Sequence, residues 1–233
     1  MKTTFLLPAE LSRQNKTAWD HLYQTTAAPV WGTEPVGFLA RSLRDFATEL
    51  PPVRRVLDAA AGEGRNLPVL LQLGAAVTAC DASAAALAKI PPDIAARVST
   101  ICCDLERVAF PDAHFDFVLL SDVVETLLQP KAVLREMRRI LAPGGHLLCN
   151  LPLPEDGAAG NDMTRIGPNR YLYHQQFYYR FFAEAEGGPL LASCGFKIVR
   201  QRRYEWEEPA HPQFRPAPHR HLSCVLLAEK PRA

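Results

Sequence analysis

From Val56 to Asn66 the chain runs Val56-Leu57-Asp58-Ala59-Ala60-Ala61-Gly62-Glu63-Gly64-Arg65-Asn66, apolar first, then small, then polar. A strand that enters a loop of Ala and Gly and leaves as a helix lets a ligand approach the backbone closely. Such a loop lies at the carboxyl edge of a sheet, where open α/β folds bind ligands. A tight strand-to-helix turn needs small residues for packing too, so the loop alone leaves both readings open. Two acids extend the pattern. Asp81 follows the second apolar run and Asp104 follows the third. A carboxylate ending a second strand can accept two hydrogen bonds from ribose hydroxyls, and one ending the third can accept from an exocyclic adenine amine. Either acid alone is more often a helix cap, Asp81 for a helix beginning near Ser83. At consecutive strand ends after a small-residue loop, the two point to a nucleoside.

The loop also bears on what the nucleoside carries. A dinucleotide fingerprint, Gly-x-Gly-x-x-Gly, needs a third glycine for close helix–strand packing. The frame Gly62 to Leu67 puts Leu67 there. Arg65, at the start of the helix, can pair with a carboxylate through charge-assisted bonds. An amino-acid arm offers that carboxylate, whereas a dinucleotide offers pyrophosphate. The residues favour an amino-acid nucleoside.

Strands and helices must alternate to place these groups at one edge. Val53 to Ala59, Ala76 to Cys80, Val98 to Cys102, Phe115 to Leu120 and His146 to Leu151 read as short apolar strands. Arg65 to Leu73, Ser83 to Ile90 and Lys131 to Leu141 read as the intervening helices. Gly74, Pro91-Pro92 and Pro143-Gly144-Gly145 punctuate them. This spacing predicts a parallel sheet covered on both faces. A helix near Leu190 ends at Gly195, and Phe196 to Trp206 and Leu222 to Glu229 then follow as two consecutive strands, hence antiparallel. The expected fold is α/β: a Rossmann-like seven-stranded sheet of five parallel strands plus a C-terminal antiparallel pair. Residues 1–50 form a helical extension or lid, with helices over Asn15 to His21 and Val36 to Leu50. Residues 51–233 form the binding domain. An insertion near 153–186, partly helical over Met163 to Ala185, caps the substrate.

Composition excludes several classes of function. The chain has 233 residues, formal net charge +1, 48% hydrophobic and 22% charged residues. No excess of positive charge points to nucleic acid or to an anionic membrane. No apolar run approaches the roughly 20 residues that span a bilayer, and the start is too short for a signal peptide. Six scattered cysteines with no Cys-x-x-Cys pair read as buried apolar residues in a reducing cytoplasm, without metal. Oligomeric state is left open.

Read together, these blocks resemble the class I S-adenosylmethionine-dependent methyltransferases. Asp58 to Gly64 is similar to that family's motif I, an acid followed by alternating glycines. Ser121-Asp122-Val123-Val124-Glu125, Val133-Leu134-Arg135-Glu136 and Ile140-Leu141-Ala142-Pro143-Gly144-Gly145 resemble the blocks around its fourth and fifth strands. Cys194-Gly195-Phe196 resembles the start of its sixth. Trp19, Tyr23, Trp31-Gly32-Thr33-Glu34-Pro35 and Phe38 are similar to the tellurite-resistance and thiopurine branch. The resemblance implies S-adenosyl-L-methionine as cofactor and S-adenosyl-L-homocysteine as product. It implies that Asp58, Ala59, Ala60, Gly62 and Gly64, with Arg65 and Asn66, hold the methionine end. Asp81 with Ala82 takes the ribose, Asp104 with Leu105 the adenine, and Ser121 with Asp122 the floor beside the methyl group. Tyr23 and Trp31 either close over the cofactor or anchor the extension. One departure stands out: Ala60 replaces the first glycine of the motif. A left-handed backbone there costs roughly 1–2 kcal/mol, whereas a need for smallness alone costs little.

A sulfonium donor is already activated, so transfer mainly requires alignment, and a base only if the acceptor must lose a proton. Candidate catalytic groups are Glu125, Tyr171 and His174, with Tyr173 and with Asn150 for orientation. His146 starts the fifth strand and so sits at the wrong edge. The acceptor is a small molecule, and the aromatic run from Tyr171 to Phe182 either lines its pocket or packs the core. His211, His219 and His221 fall in a Pro-rich connection that reads as a solvated loop. The rivals are an NAD-dependent Rossmann oxidoreductase and a non-catalytic nucleoside-binding or regulatory domain.

Overall fold

The computed structural model describes residues 8–160 and 162–232. Five parallel strands build the centre: β1 (Arg55–Ala59), β2 (Ala76–Asp81), β3 (Ser99–Cys102), β4 (Phe115–Leu120) and β5 (Leu141–Pro152). Two long strands, β9 (Lys197–Glu208) and β10 (His219–Glu229), complete a seven-stranded sheet in the order β3-β2-β1-β4-β5-β10-β9. β1 to β5 pair in parallel, and β10 runs antiparallel to both β5 and β9. Five parallel strands and a C-terminal antiparallel pair in one seven-stranded sheet match the expectation from the sequence. β4 is buried almost throughout, as a strand covered on both faces must be.

The helices are α1 (Pro8–Thr25), α2 (Leu39–Asp45), α3 (Leu67–Leu71), α4 (Ala84–Leu87), α5 (Pro92–Ala95), α6 (Pro130–Ile140) and α7 (Glu184–Ala192). In α6, Val133, Leu134, Met137 and Ile140 are buried at helical spacing, and this stripe seats the helix on the sheet. Ser83 caps α4, its Oγ accepting from Ala86 N at 3.2 Å. Among the described residues no helix is long and apolar enough to cross a membrane.

Four expectations need correction. α1 is much longer than Asn15 to His21, and α2 is much shorter than Val36 to Leu50. Pro91-Pro92 ends one helix but also opens α5, because proline suits a first helical turn. The largest departure is the segment expected to be partly helical over Met163 to Ala185. It forms a separate antiparallel sheet of β6 (Met163–Gly167), β7 (Arg170–Tyr173) and β8 (Phe177–Arg180). Facing aromatic pairs, Tyr171 with Tyr179 and Tyr173 with Phe177, stabilise strands directly. Asn169, at φ 51°, and the pair His174 and Gln175, at 47° and 61°, make the turns between them. An aromatic-rich run satisfies either period, and here the turn residues decide for strands.

Candidate functional site

At the end of β1 the chain turns left-handed at Ala60 (φ 66°), Gly62 (φ 54°) and Gly64 (φ 83°). Asp81, at the end of β2, holds this turn. Its Oδ2 accepts from Gly62 N at 2.9 Å and its Oδ1 from Ser83 N at 2.9 Å. Each oxygen keeps a second acceptor position. Burial pushes the Asp81 carboxyl up, while the Ser83 and Gly62 N–H groups pull against it. A Cβ on Gly64 would meet Leu67 at 2.8 Å and Ile90 at 3.1 Å, so that glycine also serves packing.

Above this edge lies a cavity of about 690 Å³. Ala60, Gly62, Arg65 and Asn66 line it from the first crossover, and Asp81, Ala82, Asp104 and Leu105 from the next two strand ends. Ser121 and Asp122 after β4 complete the floor, with Tyr23 and Trp31 from the extension above. Asp58, Ala59 and Gly64 are not in its wall. Asp104 sits at the rim, exposed, with Lys16 Nζ 2.5 Å from its Oδ2. Burial would raise its pKa, but hydrogen bonds from Lys16 and from Glu106 N bring it below the usual value.

The extension is tied down by polar groups of the loop itself. Glu63 accepts from Val30 N at 2.6 Å, and Asn66 Oδ1 accepts from Val36 N at 3.1 Å. Trp31 Nε1 donates to Tyr23 Oη at 2.8 Å, and that hydroxyl lies 3.1 Å from where a Gly62 Cβ would be. Ser83 Oγ donates to Asp20 Oδ1 at 2.6 Å, and Asn15 bridges Thr126 O and Tyr178 N. Asn66 therefore anchors the extension.

Arg65 is engaged differently from the sequence expectation. Its guanidinium lies between Asp122, at 2.8 Å, and Glu208, at 2.5 Å, with its side chain 12% exposed. Two carboxylates of the chain already neutralise it, which removes the argument that it awaits a ligand carboxylate. Asn150 fixes Asp122 in turn, accepting from its N–H at 2.8 Å and donating to its Oδ1 at 2.7 Å.

The same cavity is also lined by Glu125, Tyr179, His211, Arg215, His219 and His221. Burial, with the Asp122 charge nearby, raises the Glu125 pKa well above the carboxylate range, and Oε2 has no hydrogen-bond partner. Tyr171 and His174 do not reach the cavity; Tyr171 packs on Phe181, and His174 bonds Phe214 O at 2.9 Å. The His-rich connection, expected to be a solvated loop, is instead folded inward. His211 is only 4% exposed, and Phe214 packs on Trp19, Trp31 and Phe177. Spacing gave no sign of this; Phe214 in the loop was the available signal. No group of three or more His, Cys, Asp or Glu among the described residues could hold a metal ion.

Residues 57–149 match the family described as a methyltransferase domain. The chain is 36% identical over 121 residues to a demethylmenaquinone methyltransferase of Mycolicibacterium gilvum, covering 52% of this chain and spanning about half, 51%, of that relative. It is 36% identical over 180 residues to another of that name from Mycolicibacterium vanbaalenii, covering 71% of this chain and 77% of the relative. The chain belongs to the class I S-adenosylmethionine-dependent methyltransferases. In fold, it is similar to the 1,6-didemethyltoxoflavin-N1-methyltransferase of Burkholderia thailandensis, at 21% identity and TM-score 0.69. That match covers 99% of this chain and 93% of the other, which was solved with 1,6-didemethyltoxoflavin and S-adenosylhomocysteine bound.

Two residues at the end of β1 carry unrelieved cost. Ala60 holds a left-handed backbone, at φ 66°. Ala60→Gly should raise unfolding stability by about 1 kcal/mol, the αL penalty less the added chain entropy. Urea unfolding checks this, and an unchanged or lowered midpoint contradicts it. Asp58 is buried with Oδ2 unpartnered, and burial together with the Asp81 charge pushes its pKa up to about 7. Between the unfolded value of 3.8 and about 7 the folded chain binds the extra proton. Its contribution to stability therefore declines as pH rises through that window. Asp58→Asn should flatten that slope, which unfolding curves across the window measure. Ser121 Oγ is likewise buried and unpartnered. These orphaned atoms, beside a wall of small residues and an acid at each of two strand ends, fit a ligand with an amino-acid arm and a nucleoside.

Proposed function

We propose that this methyltransferase moves the methyl group of S-adenosyl-L-methionine to a small, flat acceptor held where Glu125, Tyr179, His211, Arg215, His219 and His221 line the cavity. The cofactor supplies a methyl group already activated on a sulfonium. Asp81 and Ala82 hold the ribose, Asp104 and Leu105 the adenine, and the loop from Asp58 to Gly64 the methionine end. Ser121 and Asp122 form the floor at the reacting carbon. Asn150 keeps Asp122 in place, and Arg65 is a strut between Asp122 and Glu208 rather than a ligand group. Residues 1–50 serve as a lid and residues 153–186 as the acceptor cap. Alignment does most of the work, since orientation contributes on the order of 7–11 kcal/mol.

The observation that carries this reading is the Gly62–Asp81 bond of 2.9 Å in the wall of one large cavity. A flat acceptor is supported by the aromatic walls, with Trp31 5.1 Å from Phe214 and 5.3 Å from His211 between ring centroids. Relatives named for demethylmenaquinone and a fold neighbour named for a toxoflavin precursor support the same class. The six free cysteines support a reducing, cytoplasmic setting. The test is transfer from methyl-labelled donor into cell extract, followed by identification of the product. Label in a low-molecular-weight aromatic product is expected. Label confined to protein or nucleic acid, or none at all, contradicts the reading.

A further inference from the structure

We propose that the acceptor is an acidic phenol or enol, bound as its oxyanion by Arg215 beside a charged imidazole pair, His219 and His221. This deepens the methyl-transfer reading and rests on it. Arg215 lines the cavity, its guanidinium 5.1 Å from the Tyr173 ring centroid. Among the described residues it has no carboxylate partner, whereas Arg65 nearby has two. A cavity-lining guanidinium without a counter-charge is suited to a planar anion.

The imidazole pair follows from proton counting. His221 Nδ1 is 3.1 Å from Asp156 Oδ2, the two Nε2 atoms of His219 and His221 are 3.0 Å apart, and His219 Nδ1 is 3.2 Å from Ala217 O. The carboxylate and the carbonyl can only accept, and one ring must donate to the other, so three ring protons are required. Two neutral imidazoles hold two. The pair therefore carries one positive charge. Asp156, fully buried, also accepts from Ala158 N at 2.7 Å and Leu222 N at 2.6 Å, so its carboxylate is fixed beside His221. Burial and the charges of His221 and Arg215 hold His219 down to about 4.

The other groups named at this wall are engaged or favoured in their neutral forms. Asp122 and Glu208 pair with Arg65, and His211 turns Nε2 toward Glu208 at 3.3 Å. Burial raises the pKa values of Glu125 and Tyr179 and so favours their neutral forms. An acceptor that arrives ionised needs no base. Its oxygen lone pair forms the O–C bond as the C–S bond breaks and that pair leaves on sulfur. The oxyanion and the sulfonium cancel, and no proton is released.

The experiment saturates the protein with S-adenosylhomocysteine and titrates 4-nitrophenol, coloured only as its anion, at about pH 6. The bound probe should show the phenolate band, and 4-nitroanisole should bind at least about tenfold more weakly. Arg215→Gln should weaken 4-nitrophenol by about tenfold with S-adenosylhomocysteine affinity unchanged, and Arg215→Lys should retain most of the preference. Equal binding of the anisole, a bound but colourless phenol, or preference for 4-nitrobenzoate over the phenol would overturn the proposal. So would no binding of the phenol to the loaded protein at about 10 mM, a Kd weaker than any specific site. Failure of S-adenosylhomocysteine itself to bind would instead overturn the methyl-transfer reading.

Discussion

Arg65→Ala lowers the unfolding free energy by about 3–5 kcal/mol, the cost of removing one partner from a buried ion pair. Glu208 has a side chain only 7% exposed, and Arg65 meets it at 2.5 Å. Without the guanidinium, Glu208 keeps Trp206 Nε1 at 2.9 Å and His211 at 3.3 Å, but no permanent positive charge. Arg65→Lys does not rescue fully, because one ammonium cannot span Asp122 and Glu208 as a planar fork does. The pH dependence gives a second readout. Burial opposes ionisation of Glu208, yet hydrogen bonding from His211 and the Arg65 charge bring its pKa down to about 2. Its stabilisation is therefore complete above the unfolded value of 4.5 and is lost as pH falls toward about 2. In Arg65→Ala the folded value rises, so acidification costs less than in the parent chain. Urea unfolding at neutral and at acid pH measures both effects. A neutral-pH loss below about 1 kcal/mol, the range of exposed pairs, would contradict them.

Asp81→Ala weakens S-adenosylhomocysteine binding by roughly 10- to 100-fold, the loss of two charge-assisted bonds to ribose hydroxyls. The same carboxylate holds Gly62 N and Ser83 N, so part of the loss is a loosened loop. Ser83→Ala separates the two contributions. It removes the cap of α4 at about 1 kcal/mol of stability and leaves both Asp81 bonds in place. Its affinity for S-adenosylhomocysteine stays near that of the parent chain. Calorimetry on the two variants and the parent checks this, and an Asp81→Ala affinity equal to the parent's removes the ribose assignment.

The central sheet was readable because buried parallel strands are continuous apolar runs bounded by Gly, Pro and Asp. β4 matches its sequence reading from Phe115 to Leu120 residue for residue. The strand-end acids were readable for the same reason: Asp81 and Asp104 follow apolar runs. What sequence could not assign was partnership across long separations. Arg65 meets Glu208, and Glu63 and Asn66 hold Val30 and Val36, and no local pattern marks such pairs. The departure at position 60 could be seen, but its meaning depended on φ, and only coordinates put Ala60 at 66°. Segment 163–180 failed for another reason. Aromatic residues suit a buried helix face and a strand equally, and the positive φ at Asn169, His174 and Gln175 settles the matter only after folding. The His-rich connection was misread because proline and histidine suggest solvent, while Phe214 draws the loop onto Trp19 and Trp31.

The most direct measurement is a calorimetric titration of S-adenosylhomocysteine into the intact chain, with NAD as the comparison ligand. A cavity whose first crossover and second strand end share one carboxylate should take up one equivalent of S-adenosylhomocysteine, and NAD should give no matching heat. No heat from S-adenosylhomocysteine at millimolar concentration, about the weakest affinity such a site could have, or tighter uptake of NAD, would contradict it.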